Sequence, residues 1–298
     1  MNTVKSSDLQ RVSFYEQIDR NKRNSIVLAL LVSLVLFAVS YAFFLLFGLL
    51  AFSAVLAVSV FYIFFTYSRG DQIVLNAVGA KPADEIKHRF LIDTAEGLSI
   101  AAGIPKPKVY VMEGDEINAF ATGKDPQHAS IAVTSGALNN LSRSELEGVI
   151  GHEISHIQNY DIKFATVIAV MVGLIAIISH IILRSFMSRR KAGGAVIAVI
   201  LVTAILAIFA PLLSRLVQAA VSRNRELLAD SNGVKLTRYP AGLSSALEKI
   251  KKMNKGKMDV SESVSHLFLA DPNKSPLDGL FATHPPLEKR IGILRAMG

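Results

Sequence analysis

Cysteine is absent from this chain of 298 residues. That removes disulfides, iron–sulfur clusters and thiolate metal sites together, so any zinc must be held by histidine and carboxylate. Charge is scarce as well. Only 19% of residues are charged while 51% are hydrophobic, against roughly 25% and 45–50% in soluble domains. What charge there is leans to a net +8, which suits nucleic acid or an anionic membrane surface. Aromatic residues do not interleave with the basic ones as a base-stacking platform requires, and this argues against nucleic acid. The chain shows no internal repeat and no low-complexity segment.

The scarcity of charge is local. From Ser25 to Ser68 there is no charged residue. One membrane span needs about 20 residues, so 25–68 is expected to hold two transmembrane helices with a turn near Phe47–Gly48. A cleavable leader would have an apolar core of only about 7–15 residues. Two further runs follow, Phe164–Leu183, broken only by His180, and Ala192–Ser214, where Pro211 is a kink that membrane helices tolerate. Arg20, Lys22 and Arg23 place segment 1–24 in the cytoplasm, and two crossings return 69–163 to the same side. If both later runs cross fully, Arg184, Arg189, Arg190 and Lys191 lie on the far side, against the positive-inside rule. Segment 164–214 is therefore either two more membrane helices or a re-entrant hairpin. The lipid bilayer is an expected partner.

The polar parts read as one domain in two pieces, 69–163 and 215–298. Ile86, Phe90, Leu91, Leu98 and Ile100 recur at roughly helical spacing between Pro82 and Gly103, which predicts a helix within 81–102. KVYVM (108–112), INAFATG (117–123) and SIAVT (130–134) are short β-rich runs separated by turn signals, and predict a small antiparallel sheet. A helix then starts at a capping box, Ser142-x-x-Glu145. Leu146, Val149, Ile150, Ile154 and Ile157 give it an apolar stripe. Gly148, Gly151 and Ser155 form a stripe of small residues, as a close neighbour would require.

That helix carries His-Glu-x-x-His. Residues four apart share a helical face, so His152 and His156 can hold one ion from the same side. Glu153 is rotated by about 100° from the first histidine, placed to act on an activated water and not as a ligand. A catalytic zinc needs a third protein ligand and an open position. In SRNRELLAD (222–230), Glu226 and Asp230 are again four apart. Glu226 is the expected third ligand. Asp230 is the expected partner of a ligand imidazole's other nitrogen, fixing its tautomer. The plainer alternative is a charged surface helix in which Glu226 and Asp230 pair with Arg223 and Arg225. The two half-sites meet only if the chain crosses the membrane an even number of times between them. A non-catalytic scaffold with a structural metal would have no use for Glu153 beside an open position. A transporter with a metal site at the membrane midplane conflicts with both half-sites lying outside the apolar runs.

These motifs, in this order, resemble the HtpX family of membrane-integrated zinc endopeptidases. GAKPA (79–83), AAGIPKPKVYVM (101–112), INAFATG (117–123), GHEISH (151–156), SRNRELLAD (222–230) and THPPLEKRI (283–291) carry the resemblance. It implies a mainly α, α+β zincin-like domain of gluzincin type with four membrane-embedded helices. One Zn2+ per chain is implied, on His152, His156 and Glu226, with Glu153 as general base. It further implies cleavage of misfolded or surplus membrane proteins at the cytoplasmic side of a bacterial inner membrane. Asn118, Ala119 and Phe120 are implied to lie on the edge strand that pairs with an extended substrate, and His284 to face the oxyanion. Arg290 either assists His284 or pairs at the start of the last helix. His88, His128 and His266 are read as ordinary surface or loop residues. Gly151 stands where the family usually has Ala, and Leu227 where it usually has an aromatic residue.

Overall fold

The computed structural model describes residues 49–163, 165–167, 223–256, 258, 260, 262–270, 272 and 285–298, with scattered helical positions between 23 and 48. Gly48, at φ 79°, separates those helical positions from α1 (Leu49–Ala77), at the turn expected from the sequence. α1 leaves helical geometry at Arg69 (φ −130°, ψ 15°), the first charged residue after the uncharged run. Its two arms, Phe52–Phe65 and Ser68–Ala77, are bent by 81° there. Among the described residues no single helix is long and apolar enough to cross a membrane, although this bent pair together has the required length and composition. The two apolar runs within 164–214 lie outside the described residues, apart from 165–167.

The polar arm of α1 leads into β1 (Lys81–Pro82), α2 (Arg89–Ala102) and three strands: β2 (Lys108–Met112), β3 (Ala119–Gly123) and β4 (Ala129–Thr134). The spacing predicted a helix from about 81, but it begins at Arg89. The Asp84 side chain accepts the backbone N–H groups of Ile86 and Lys87, holding 84–88 as a turn in front of the helix. Ile86 and Ile100 are accordingly exposed, not core. α2 ends where expected, on Gly103 in the left-handed conformation.

The sheet is mixed, which corrects the antiparallel expectation. Its order is β1-β2-β4-β3, with β2 parallel to β4 and the outer pairs antiparallel. β3 follows β2 in sequence but folds onto the far side of β4, with Ala121 opposite Ile131. It thereby becomes the edge strand and leaves β2 and β4 to pair in parallel.

α3 (Ser135–Asn140) leads to α4 (Arg143–Gln158), and the second half supplies α5 (Arg223–Thr237), α6 (Pro240–Met253), α7 (Glu262–Ser265) and α8 (Leu287–Arg295). The capping box is formed: Ser142 N–H donates to Glu145 Oε2 at 2.6 Å and Glu145 N–H to Ser142 Oγ at 3.4 Å. All five residues of the predicted apolar stripe are buried. They join the larger core cluster, where α2, α4, α6 and one face of the sheet meet. A smaller cluster covers the other face and includes Val74, Leu75, Phe120 and Phe268.

α4 lies between α5 and α6 with almost no side chain intervening. A Cβ on Gly148 would stand 2.5 Å from Leu243 N, and one on Gly233 would stand 2.9 Å from His152 N. At Gly151 the nearest atoms are Thr237 Cγ2 at 3.0 Å and Gly233 O at 3.2 Å.

Gly148→Ala is expected to destabilise the fold by about 1–3 kcal/mol, since backbone must move to admit the methyl group. Gly151→Ala is expected to cost less, because the Thr237 methyl can give way. Denaturation midpoints of the two variants in detergent test the ranking. Glu145 is buried, which on its own would raise its pKa, but hydrogen bonds from Lys249 (2.7 Å) and the Ser142 cap bring it below the ordinary value. A depressed carboxyl stabilises the fold above its unfolded pKa and stops doing so as pH falls through the folded one. Glu145→Gln should therefore lower stability at pH 7 by about 0.5–1 kcal/mol. The gap between variant and wild type should close as pH drops below the normal glutamate range.

Candidate metal centre

The geometry starts from two helix faces. His152 and His156 project from α4 with their Nε2 atoms 3.1 Å apart. Across from them α5 presents Glu226, whose Oε2 is 3.6 Å from His152 Nε2 and whose Oε1 is 3.4 Å from His156 Nε2. One ligand atom from each of the three residues lies within 4.8 Å of the others. A tetrahedral zinc with bonds of about 2.0–2.1 Å holds its ligand atoms about 3.3–3.4 Å apart. The three residues therefore fit a metal ion, with two imidazole nitrogens and a carboxylate converging on one point.

The other imidazole nitrogens are also occupied. His152 Nδ1 is 3.0 Å from Asp230 Oδ1, and His156 Nδ1 is 3.0 Å from Asp161 Oδ2. A proton on each Nδ1 leaves each Nε2 lone pair turned inward, the tautomer a ligand requires. Asp230 stands where the sequence placed it. Asp161 was missed. No sequence signal pointed to it: the helix ends at Asn159 and Tyr160 takes a left-handed conformation (φ 60°), which folds Asp161 back beside His156.

Arg290, from the first turn of α8, also reaches the centre. It is fully buried, donating from Nε to Asp230 Oδ2 (2.8 Å) and from an Nη to Asp230 Oδ1 (2.6 Å). The other Nη donates to the Leu269 carbonyl at 3.3 Å and lies 3.5 Å from Glu226 Oε2. Sequence left its role open, and the geometry makes it a positioning residue. Arg225 turns to Asp161 at 3.5 Å and Asp230 to Arg290, and both acids of the motif are buried, so this is not a charged surface helix. His284 lies outside the described residues.

Burial governs the electrostatics. It holds the His152 imidazole below its ordinary pKa despite Asp230. It would lower His156 too, but Asp161 and Glu226 outweigh it and hold that imidazole well above the usual value. Burial raises the Glu153 carboxyl to about 7, with Glu226 adding to the effect and His156 and Arg290 opposing it. Asp230 goes the other way: burial is overcome by Arg290 and His152, and its pKa falls to about 2.

β3 runs beside this centre, and its outward groups are taken by the chain itself. Ala119 O accepts from Leu269 N–H at 2.9 Å, Ala121 N–H donates to Glu153, and Gly123 N–H donates to Thr166 Oγ1 at 3.0 Å. Asn118 bonds to both backbone groups of Ala270, and Phe120 packs on Phe268 with ring centroids 4.9 Å apart. Ala119 and Phe120 are thus on the edge strand and Asn118 immediately precedes it, but all three are fully buried, with residues 268–270 bonded to or packed on them. The cavity left over the centre is about 40 Å³, enough for water and too small for a peptide. His266 lines it and reaches the Ala165 carbonyl at 3.1 Å, so it belongs to the site that sequence did not assign it to. His88 caps the turn before α2 and His128 pairs with Asp125, as ordinary surface histidines.

Asp161→Asn keeps the shape of the pair with His156 but removes its charge. Metal affinity is expected to fall about 10–100-fold, measured by competition with a chelator of known affinity.

Comparison with known proteins agrees with this geometry. The sequence profile of Peptidase family M48 matches residues 85–297. A "Protease HtpX homolog" of Dictyoglomus thermophilum is 45% identical over 289 residues, covering 96% of this chain and 95% of that protein. Another of the same name from Caldanaerobacter subterraneus subsp. tengcongensis is 42% identical, with 96% and 98% covered. The crystal structure of S. mikatae Ste24p superposes with a TM-score of 0.51 at 21% identity, over 94% of this chain. This chain spans 66% of that longer one, and the likeness concerns the fold. With a histidine–histidine–carboxylate centre on the two expected helices and this kinship along nearly its whole length, the chain belongs to peptidase family M48, in its HtpX branch, and is a metalloprotease.

Proposed function

We propose that the metal is zinc and that the protein is a membrane-anchored endopeptidase. In this reading it hydrolyses misfolded or surplus membrane proteins on the cytoplasmic side of a bacterial inner membrane. The observation that carries the chemistry is the convergence of His152, His156 and Glu226 with the Glu153 carboxylate beside them. A histidine and carboxylate donor set with no thiolate suits zinc at a catalytic site. Zinc, when bound there, supplies Lewis acidity toward a water and toward the scissile carbonyl.

The chain's own residues do the rest. Glu153, steered by the Ala121 N–H, takes a proton from the attacking water and passes it to the leaving amine. Asp230 and Asp161 keep the two imidazoles in the ligand tautomer, and Arg290 fixes Asp230 in turn. An extended polypeptide aligns along β3 at Asn118, Ala119 and Phe120, where backbone pairing reads conformation more than side chains. To do so it takes the place of segment 267–270, which now makes those contacts. The oxyanion role of His284 rests on the family resemblance, supported by Arg290 of the same motif reaching the centre.

Membrane anchoring is supported by the uncharged run 25–68 and by the surface of α1, where Leu50 is 84% exposed and Phe64 70%. Apolar side chains exposed in such number mark a surface that is covered by something other than water. The basic residues before the first run favour a cytoplasmic domain.

The test is to purify the chain in detergent, measure zinc per chain, and follow cleavage of an unfolded protein. Glu153→Gln should keep one zinc per chain and lose cleavage by about 10²–10⁴-fold or more. Cleavage by that variant at the wild-type rate would refute the mechanism.

A further inference from the structure

A second cavity, of about 420 Å³, lies at the elbow of α1. Among the described residues, five cationic side chains line it, Arg69, Lys106, Lys108, Lys124 and Lys163, against one carboxylate, Asp71. Two of these cations bracket the membrane-directed parts of the chain. Arg69 is the first charge after the uncharged run that ends at Ser68, and Lys163 is the last before the run that begins at Phe164. The cavity therefore sits where two apolar segments meet the polar domain, with cations arriving from both segments and from the sheet.

Its wall carries a further mark. Ser130 lines the cavity with no exposed surface, and among the described residues its hydroxyl has no hydrogen-bond partner. A buried hydroxyl without a partner is destabilising, and a phosphate oxygen would satisfy it. Asp71 is occupied with Gln72 at 3.2 Å and Lys106 with Glu96 at 2.6 Å, the latter an exposed pair that an incoming anion can loosen.

We propose that this cavity binds the phosphate headgroup of an anionic phospholipid from the cytoplasmic leaflet. The proposal rests on the membrane-anchored reading above. Basic pockets between membrane segments on the cytoplasmic side bind such headgroups, and each basic residue near an anionic surface adds to the attraction. A lipid is favoured over an acidic peptide because the cations border the apolar runs, whose level a lipid phosphate shares. The site also touches the catalytic machinery. Thr166, in its lining, bonds to Thr122 Oγ1 at 2.8 Å and to Gly123 N–H at 3.0 Å, at the end of the strand whose Ala121 steers Glu153. A bound headgroup thus braces the far end of β3.

The experiment uses the full chain, zinc-loaded, in a neutral detergent. Short-chain phosphatidylglycerol is expected to raise the thermal midpoint saturably, by on the order of 3 °C. Short-chain phosphatidylcholine, inorganic phosphate and an acidic peptide at equal concentration should not. The triple variant Arg69→Gln, Lys108→Gln, Lys163→Gln should lose the shift, and Ser130→Ala should weaken it. An equal shift with phosphatidylcholine, or none with phosphatidylglycerol, overturns the proposal. A shift as large with inorganic phosphate makes this a free-anion site, one with the acidic peptide makes it a substrate site, and either overturns it too. The ligand series on the unmutated chain decides the matter even if the triple variant does not fold. Alkaline carbonate extraction of cell membranes separates the two readings. Wild-type chain retained in the pellet upholds anchoring whatever the lipid series shows, and its release would sink the anchoring itself.

Discussion

The guanidinium of Arg290 has no exposed surface and lies among the carboxylates of Asp230, Glu226 and Glu153. Taking a carboxylate out of water costs several kcal/mol even after relaxation. The centre takes in three of these together with Asp161, within a few ångströms of two imidazoles. Arg290 compensates Asp230 directly with two short hydrogen bonds, and Asp230 thereby stays ionised and can orient His152. The same cation ties down the Leu269 carbonyl. One side chain from a late helix thus sets the charge balance of the site, the tautomer of a ligand and the seating of the segment that lies on β3.

Much of this was legible in the sequence because it is local. The capping box, the apolar stripe, the histidine pair and the Glu226–Asp230 pair all depend on residues three or four apart on one helix, and helical geometry fixes their relation without any knowledge of the fold. The small stripe on α4 was legible too, as a requirement for a near neighbour, though not which neighbour. The structure names two, α5 at Gly233 and α6 at Leu243.

What escaped is what depends on distance along the chain or on one unusual dihedral. Nothing in KVYVM or SIAVT says that they pair in parallel; that follows from where β3 ends up. Asp161 is placed by the left-handed turn at Tyr160, a conformation a tyrosine seldom adopts. His266 and Leu269 join the site through a segment that lies far along the chain from the metal-binding histidines, and Arg290 through the docking of α8 on α5 and α6. The helix expected within 81–102 forms but starts late, at Arg89, for a local reason: Asp84 offers the backbone a turn before a helix can begin.

At the seam between α4 and α5 the two backbones meet directly at Gly151 and Gly233. Residues 159–222 separate them, much of that stretch apolar. During synthesis the histidines are therefore made well before the carboxylate that completes their grip on the metal, and Arg290 is made later still. A nascent chain that has emerged only as far as the first half carries two imidazoles and no enzyme. The centre is complete only once the second half has docked on the first, so the order of synthesis makes the carboxylate ligand and its positioning arginine the last parts of the grip to arrive.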